Sequence, residues 1–390
     1  MKKKLETEKI PIYLWLDDIE EGALEQARHL ANLPFAVHHV AIMPDAHQGY
    51  GMPIGGVLAT RDVVIPNAVG VDIGCGMCAV RTSLTEVPQE MLKKAMSGIR
   101  RHVPLGFRHH HRPLPADRLP PLPQDPARTL PVVWKEFGSA RAQVGTLGSG
   151  NHFIEIQRGS DARLWVMVHS GSRNLGYKVA GHYNRVAVRL APKMKVRVPK
   201  NWQLAYLPLD SAEGRRYLDE MRYCVEFALA NRREMMERVQ EVLADLAGPV
   251  EFAPMINIAH NYAALEVHYG EEVMVHRKGS TRARRGETGI IPGSQGSVSY
   301  IVRGLGNPAS FHSCSHGAGR IMGRKQAQRL LDLEMEKKKL DSRHILHAIR
   351  HRRDLDEAPG AYKDIGQVMR NQEDLVEIVE VLEPLAVIKG

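Results

Sequence analysis

The chain is poor in cysteine: Cys75, Cys78, Cys224 and Cys314 are its only four in 390 residues, scattered rather than spaced as a framework. A disulfide scaffold is therefore not expected. No second C-x-x-C accompanies Cys75 and Cys78, which excludes a four-cysteine zinc site. Apolar runs of about 18 residues are also missing, so no membrane span is expected. The start, MKKKLETEK, lacks the apolar stretch of a signal peptide, and a reduced, cytoplasmic protein is the expectation. There is no G-x-x-x-x-G-K-[ST], no H-E-x-x-H and no Lys-x-Asp-Gly; the nearest string to the last, Lys363-Asp364-Ile365-Gly366, has the wrong order. A P-loop, a zinc-protease helix and a lysine nucleophile of that kind are thereby set aside. No internal repeat of solenoid period occurs.

What remains is ordinary globular material, with 43% apolar and 25% charged residues. Lys and Arg number 53 against 44 Asp and Glu, and the resulting +9 favours polyanionic partners. No linker divides the chain, which predicts one large domain or two fused lobes. Helical spacing marks residues 19–33 and, as the longest helix, 211–246, ended by Gly248. Further helices are expected over 323–338 and 366–382. HHVAIM, GVLAT and DVVI read as short strands, and AVIKG as a final strand with Lys389 near its end. Mixed short strands and helices without regular alternation point to α+β. Residues 103–131, dense in Pro and Arg and carrying His109, His110 and His111, read as an irregular surface loop.

Four Gly-rich apolar runs hold single acids, histidines or a cysteine, groups that are costly to bury without a purpose. MPDAHQGYGMPIGGV spans 43–57 and GVDIGCGM spans 70–77. In the second, Asp72 and Cys75 offer one hard oxygen and one soft thiolate, a pair suited to a metal; the competing reading is a redox pair or zinc hook of Cys75 with Cys78. GTLGSGNHFIEI and LWVMVHSGSRNLG place His152 and His169 at strand ends. Strand alternation sends Asn151, Phe153 and Glu155 to one face and His152 to the other, so one strand can serve two neighbouring subsites. With His260 in INIAHNYAALE the set becomes three imidazoles, a thiolate and a carboxylate, suited to one or two divalent cations.

The fourth run, 275–304, concentrates Arg277, Lys278, Arg282, Arg284 and Arg285 ahead of a Pro-Gly-Ser turn at Gly293 and Ser294. Phosphate binding by these side chains and the turn's N–H groups is the expectation. FHSCSHGAGR follows, and the small residues around His316 suit an accessible nucleophile or general base.

The runs PDAHQGYGMPIGGV, GVDIGCGM, GSGNHFIEI, VHSGSRNLG, NIAHNYA, HRKGSTRARRGETGIIPGSQGS, FHSCSHGAGR and LAVIKG, in this order along nearly the whole chain, resemble the RtcB family of RNA-splicing ligases. The resemblance implies a single compact domain over 1–390. Its implied activity is a GTP- and manganese-dependent joining of RNA 2′,3′-cyclic-phosphate or 3′-phosphate ends to 5′-hydroxyl ends, through a histidine-GMP intermediate and an RNA-ppG end. By motif position, His316 would carry the guanylate. Asp72, Cys75, His152, His169 and His260 would hold two Mn²⁺ ions, with the Cys75 thiolate shared. Asn151, Phe153, Glu155, Asn261, Ser294, Tyr362 and Lys389 would surround the guanine nucleotide, and Arg173 and Arg320 would lie near RNA phosphates. Implied partners are RNA (tRNA halves or broken ends), GTP and an archease-like activating protein, with a monomer expected. The 103–131 stretch departs from the family pattern and leaves tRNA splicing, RNA repair and end capping with GMP all open. From the residues alone, a metal-dependent cyclic phosphodiesterase and a non-enzymatic RNA-binding or metal-storage protein also stay open. The usual affinity order favours Zn²⁺ over Mn²⁺ at a Cys and His site.

Overall fold

A computed structural model describes all 390 residues, an α+β arrangement whose two large sheets and the turns at their strand ends carry much of the site. The six-stranded sheet runs, in spatial order, Lys3–Leu5, Ile12–Leu14, Ala36–His47, Ile54–Thr60, Glu271–Lys278 and Asn261–His268. The seven-stranded sheet runs Ile256–Ala259, Gly76–Arg81, Leu164–Ser170, Phe153–Gly159, Val376–Lys389, Ser299–Gly304 and Thr288–Ile291. Pairing is antiparallel throughout except between Ile12–Leu14 and Ala36–His47. All seven residues of Leu164–Ser170 are buried, as a continuous apolar run between two neighbouring strands should be.

The long helix forms over Ala212–Ala247, close to the expected 211–246. Ser211 Oγ caps it by accepting from Gly214 N at 3.0 Å, and Gly248, at φ 80°, ends it. Its first half packs Tyr217, Met221, Cys224 and Phe227 into one core, and its second half packs Met235, Val239, Val242 and Leu243 into another. It also carries buried polar groups that brace loops. Glu220 Oε1 accepts from Val132 N and Val133 N at 2.6 and 2.8 Å, and Asn231 Oδ1 accepts from Gly145 N and Thr146 N at 2.7 and 3.1 Å. The helix is thus both core and scaffold.

Two helix expectations are corrected. Over 366–382 only Ile365–Arg370 is helical; Val376–Lys389 is a strand that pairs with both Ser299–Gly304 and Phe153–Gly159. Two neighbouring strands satisfy its backbone, and that tertiary pairing outweighs the local helical spacing. Over 323–338 there are two helices, Arg324–Leu330 and Leu333–Asp341: the chain turns extended at Leu331, and Asp332 caps the second by accepting from Met335 N at 2.8 Å. Residues 103–131 run irregularly, with single turns at Ala116–Arg118 and Pro126–Thr129. Leu119 and Leu130 nonetheless enter the core, and Tyr223 Oη donates to Pro120 O at 2.9 Å, which straps the segment down. No helix is long and apolar enough to cross a membrane.

Candidate metal centre and nucleotide cleft

Asp72 and Cys75 occupy the turn between the short helix Pro66–Val69 and the strand Gly76–Arg81. Cys75 N donates to Asp72 O at 3.1 Å, and Gly74 adopts φ 73°, a conformation costly for any other residue. Arg232, fully buried on the long helix, donates to Gly74 O at 3.0 Å and Ser170 O at 2.7 Å. One guanidinium therefore fixes both the turn that carries Cys75 and the end of the strand that carries His169.

The histidines are held in a defined tautomer. His152 Nδ1 lies 3.0 Å from Leu147 O and His169 Nδ1 lies 3.1 Å from Asn151 O; a carbonyl only accepts, so each Nδ1 carries the proton and each Nε2 lone pair is free. Those free nitrogens converge on the acid and the thiol: His152 Nε2 is 3.1 Å from Asp72 Oδ2 and 3.6 Å from Cys75 Sγ, and His169 Nε2 is 3.3 Å from the same sulfur. His260 completes the row, its ring centroid 5.3 Å from that of His169, and its buried Nδ1 has no protein partner. Burial, then the neighbouring His316 and His169 rings, hold His260 well below the usual imidazole range, which keeps it neutral as a metal ligand must be. Two donor groups result, Asp72, Cys75 and His152 in one and Cys75, His169 and His260 in the other, with ligand atoms within 4.8 Å of one another in each. A thiolate common to two such groups, with an orphaned imidazole nitrogen beside it, fits a pair of divalent cations.

His316 stands next in the row, 4.8 Å from His260 between centroids. Its Nδ1 lies 2.6 Å from Asp45 Oδ2, and the same oxygen accepts from the His316 and Gly317 backbone N–H at 3.0 and 3.3 Å. Burial works to raise the Asp45 pKa, but the contacts with His316 and the charge of Lys363 outweigh it and hold the group below its ordinary value. The carboxylate thus keeps the proton on Nδ1 and leaves the Nε2 lone pair free.

A cleft opens from this row. Its walls include His169 and His316, Phe153, Asn151, Glu155 and Lys389, the turn Gly293–Ser294–Gln295, and Arg320, Glu357 and Tyr362. Lys389 Nζ sits 5.6 Å from the Phe153 ring centroid, and Phe153 in turn meets His169 edge to face at 5.5 Å. Glu155 is buried with one oxygen lacking any partner, and burial, opposed by Lys389 and Gln157, pushes its carboxyl up to about 8. Buried Glu357 gathers Arg320 at 3.1 Å, Arg324 at 3.0 Å and the Tyr362 hydroxyl. An aromatic wall, a carboxyl with an unpartnered oxygen and a lysine are suited to a flat heterocycle that presents N–H donors and a carbonyl.

A sequence model described as tRNA-splicing ligase RtcB matches residues 26–140 and 126–390, which together take in nearly the whole chain. The chain belongs to the RtcB family. It is 37% identical to the RNA-splicing ligase RtcB of Escherichia coli (strain K12) over 99% of both chains. It is 32% identical to the tRNA-splicing ligase RtcB of Thermococcus kodakarensis, over 95% of this chain and 92% of that one. With the RNA-splicing ligase RtcB of Mycobacterium tuberculosis it shares 33% identity over 94% of this chain and all of the relative.

Within this RtcB-family chain, most of the expected site residues meet, and a few do not. Asn261 is not a cleft wall: its Nδ2 donates to Asp72 O at 3.0 Å and its Oδ1 accepts from Gly279 N at 2.7 Å, so it ties the Asp72–Cys75 turn to the strand end beside His316. Arg173 lies behind the donor groups, donating to Thr146 Oγ1 at 3.1 Å and Gly106 O at 3.2 Å. The phosphate reading fails for Arg277, Lys278 and Arg282. Arg277 is fully buried against Glu266, Lys278 Nζ donates to Tyr50 O and Asn67 O, and Arg282 pairs with Glu287. Arg284 and Arg285 line a different depression, beside Glu266 and His312. Cys78 turns into the core, its thiol 3.8 Å from Arg232 O and pushed up to about 12 by burial, so it forms no redox pair with Cys75.

Sequence reasoning passed over Asp45, Arg232, Arg324 and Glu357. Asp45 carries the one available signal, an acid inside the Gly-rich run 43–57, but 271 positions separate it from His316. Nothing in the local pattern of the other three distinguishes them from surface charges.

Proposed function

We propose that this protein is a GTP- and Mn²⁺-dependent RNA ligase that joins 2′,3′-cyclic-phosphate or 3′-phosphate ends to 5′-hydroxyl ends, in tRNA splicing or RNA repair. The observation that carries the reading is His316, with Nδ1 held by Asp45, between the Cys75-centred donor groups and a cleft shaped for a base. Two Mn²⁺ ions held by Asp72, Cys75, His152, His169 and His260 would neutralise phosphate charge as it moves in the transition state.

His316 Nε2 attacks the α-phosphorus of GTP; an N–P bond forms and pyrophosphate leaves with the electrons of the broken P–O bond. The ring gains positive charge in this step, and the Asp45 carboxylate on Nδ1 offsets it. Glu155 and Lys389 would read the guanine edge, with Phe153 along the ring. A 2′,3′-cyclic end is first opened by water to a 3′-phosphate. An oxygen of that phosphate then attacks the histidine-bound phosphorus, His316 leaves as the neutral imidazole, and the strand ends in RNA-ppG. The second RNA's 5′-hydroxyl finally attacks the original RNA phosphate; its proton is released, GMP departs and a 3′,5′ bond closes.

Protein incubated with α-labelled GTP and Mn²⁺ should retain acid-labile label that disappears in His316→Ala. The wild type should then seal RNAs ending in 2′,3′-cyclic phosphate and 5′-hydroxyl, with Mn²⁺ compared against Zn²⁺. Label on a lysine, or opening of the cyclic end with no sealed product, would overturn the reading in favour of another ligase chemistry or of a phosphodiesterase.

A further inference from the structure

The helix Arg173–Leu190 starts at the metal loop: a Cβ added at Gly171, two residues ahead of it, would come within 2.1 Å of Asp72 Oδ1. From there it runs away from the site. Leu175, Val179, Tyr183 and Val186 pack its inner face into the core. Tyr177, Lys178, Arg185, Val188 and Arg189 are exposed at helical spacing on the opposite face, with Tyr177 at 59% and Val188 at 44% exposure.

Residues 173–209 contain eight Lys and Arg and no Asp or Glu. Seven of the eight, Lys178, Arg185, Arg189, Lys193, Lys195, Arg197 and Lys200, are exposed, and none has a carboxylate within 4.0 Å. Exposed arginines elsewhere do find acids, as Arg118 does with Glu237, Arg222 with Asp219 and Arg303 with Glu377. His182, on the same face, is held below the usual imidazole range by burial and then by Arg185 and Arg189, with no acid acting on it. Carboxylates that do approach the helix lie off the stripe: Glu136 reaches Asn174 at 3.5 Å, Glu220 is turned inward to Val132 and Val133, and Asp72 and Asp219 act on Arg173 and Tyr183. A row of unpaired like charges repels itself, and a polyanion laid along it relieves that repulsion.

We propose that this face is the track by which one RNA arm leaves the ligation site. Phosphates would lie on Lys178, Arg185 and Arg189, and bases against Tyr177 and Val188. The proposal rests on the RNA-ligase reading above and extends it from the reacting ends to the strand behind them. Lys178 and Arg189 stand about 16 Å apart along the helix axis, room for several phosphates of one strand. The basic segment 193–200 continues the row beyond the helix. An acidic protein is the less fitting occupant, because the helix begins beside the Asp72 loop and its exposed face alternates cations with apolar side chains, as single-strand tracks do.

The test compares Lys178→Glu/Arg185→Glu/Arg189→Glu with wild type and with a control of equal charge change off the stripe, Lys3→Glu/Lys94→Glu/Arg370→Glu. Binding of 3′-phosphorylated single-stranded RNA is read by fluorescence anisotropy against salt, for strands of roughly 20 and roughly 6 nucleotides. The stripe variant should bind the longer strand about tenfold more weakly and lose about two from the slope of log affinity on log salt, with the control near wild type. Guanylylation of His316, which needs no RNA, reports that the site is intact. Ligation substrates lengthened one arm at a time then identify the arm by a rise in KM. Unchanged binding of the longer strand, equal weakening in the control, or displacement of RNA by poly-glutamate as readily as by RNA would overturn the track. A wild type that binds RNA through the stripe but takes up no GMP would instead sink the ligase reading and leave the track standing.

Discussion

The Nδ1 of His316 lies 2.6 Å from Oδ2 of Asp45, a carboxylate that is completely buried and that also receives the backbone N–H groups of His316 and Gly317. One oxygen therefore sets the tautomer, the ring orientation and the local backbone. Asp45→Asn keeps the shape and removes the charge. Guanylylation of His316 should slow by about a hundredfold or more while KM for GTP moves little, because the lost interaction matters most once the ring turns cationic. Pre-steady-state transfer of label from GTP measures this. A variant that guanylylates at the wild-type rate would reduce Asp45 to a packing role.

Glu155 gives a pH prediction with a definite sign. Burial, opposed by Lys389 and Gln157, raises its carboxyl from the ordinary 4.5 to about 8. Between those values the folded protein holds a proton that the unfolded chain has released, so stability falls as pH rises through the window. The favourable contribution is complete below pH 4.5 and lost above pH 8. Glu155→Gln imitates the protonated form at every pH. Its stability relative to wild type should thus climb by a few kcal/mol from pH 5 to pH 8, as followed by urea denaturation. Parallel stability curves would show that Glu155 ionises freely in the fold. If the ionised oxygen reads guanine, wild type should discriminate better between GTP and ATP as pH rises through the same window, and the variant should not.

Those two residues mark what the sequence could and could not disclose. His152, His169, His260, Asp72 and Cys75 were legible because each interrupts a Gly-rich or apolar run, where a polar group needs a partner. Asp45 sits in such a run too, yet its partner lies 271 positions away and only the fold brings them together. The long helix was legible from its stripe over more than eight turns. The final strand was not: in DLVEIVEVLEPL the glutamates at 377, 380 and 383 recur every third position and imitate a helix surface. Its β-branched Val376, Ile378, Val379 and Val381 carried the contrary signal, and register shifts near Ile301 and Pro384 blur the alternation that would have revealed it. Charge misled in a different way, because an arginine in a basic run looks the same whether it faces water or a buried glutamate.

Arg277 is the clearest such case. It donates to Glu266 Oε1 at 2.5 Å, Ser313 Oγ at 2.9 Å and Phe311 O at 2.9 Å, all inside the protein. Arg277→Ala should cost about 3 kcal/mol, since buried Glu266 would lose its bidentate guanidinium and keep only His268 at 3.0 Å and Arg284 at 3.7 Å. Arg277→Met/Glu266→Leu should recover much of that loss, because it removes both charges and keeps the volume. Denaturant midpoints of the single and double variants decide the matter. An Arg277→Ala protein of normal stability but weakened nucleotide binding would restore the phosphate-binding reading.

The two donor groups share Cys75 and nothing else, and that topology makes metal content diagnostic. His152 belongs only to the group with Asp72, and His260 only to the group with His169. His152→Ala should accordingly lose one ion and keep the other, and His260→Ala should do the reverse. Cys75→Ala should lose both, because each group is then reduced to two ligands with no bridge between them. Elemental analysis of Mn²⁺-loaded protein gives the stoichiometry. Loading with Co²⁺ adds a second readout, since the thiolate-to-metal charge-transfer band should persist in both histidine variants and vanish with the cysteine. If either histidine variant alone emptied the whole site, the ions would be one cooperative unit. The unpartnered Nδ1 of His260 would then not mark a separate ion site.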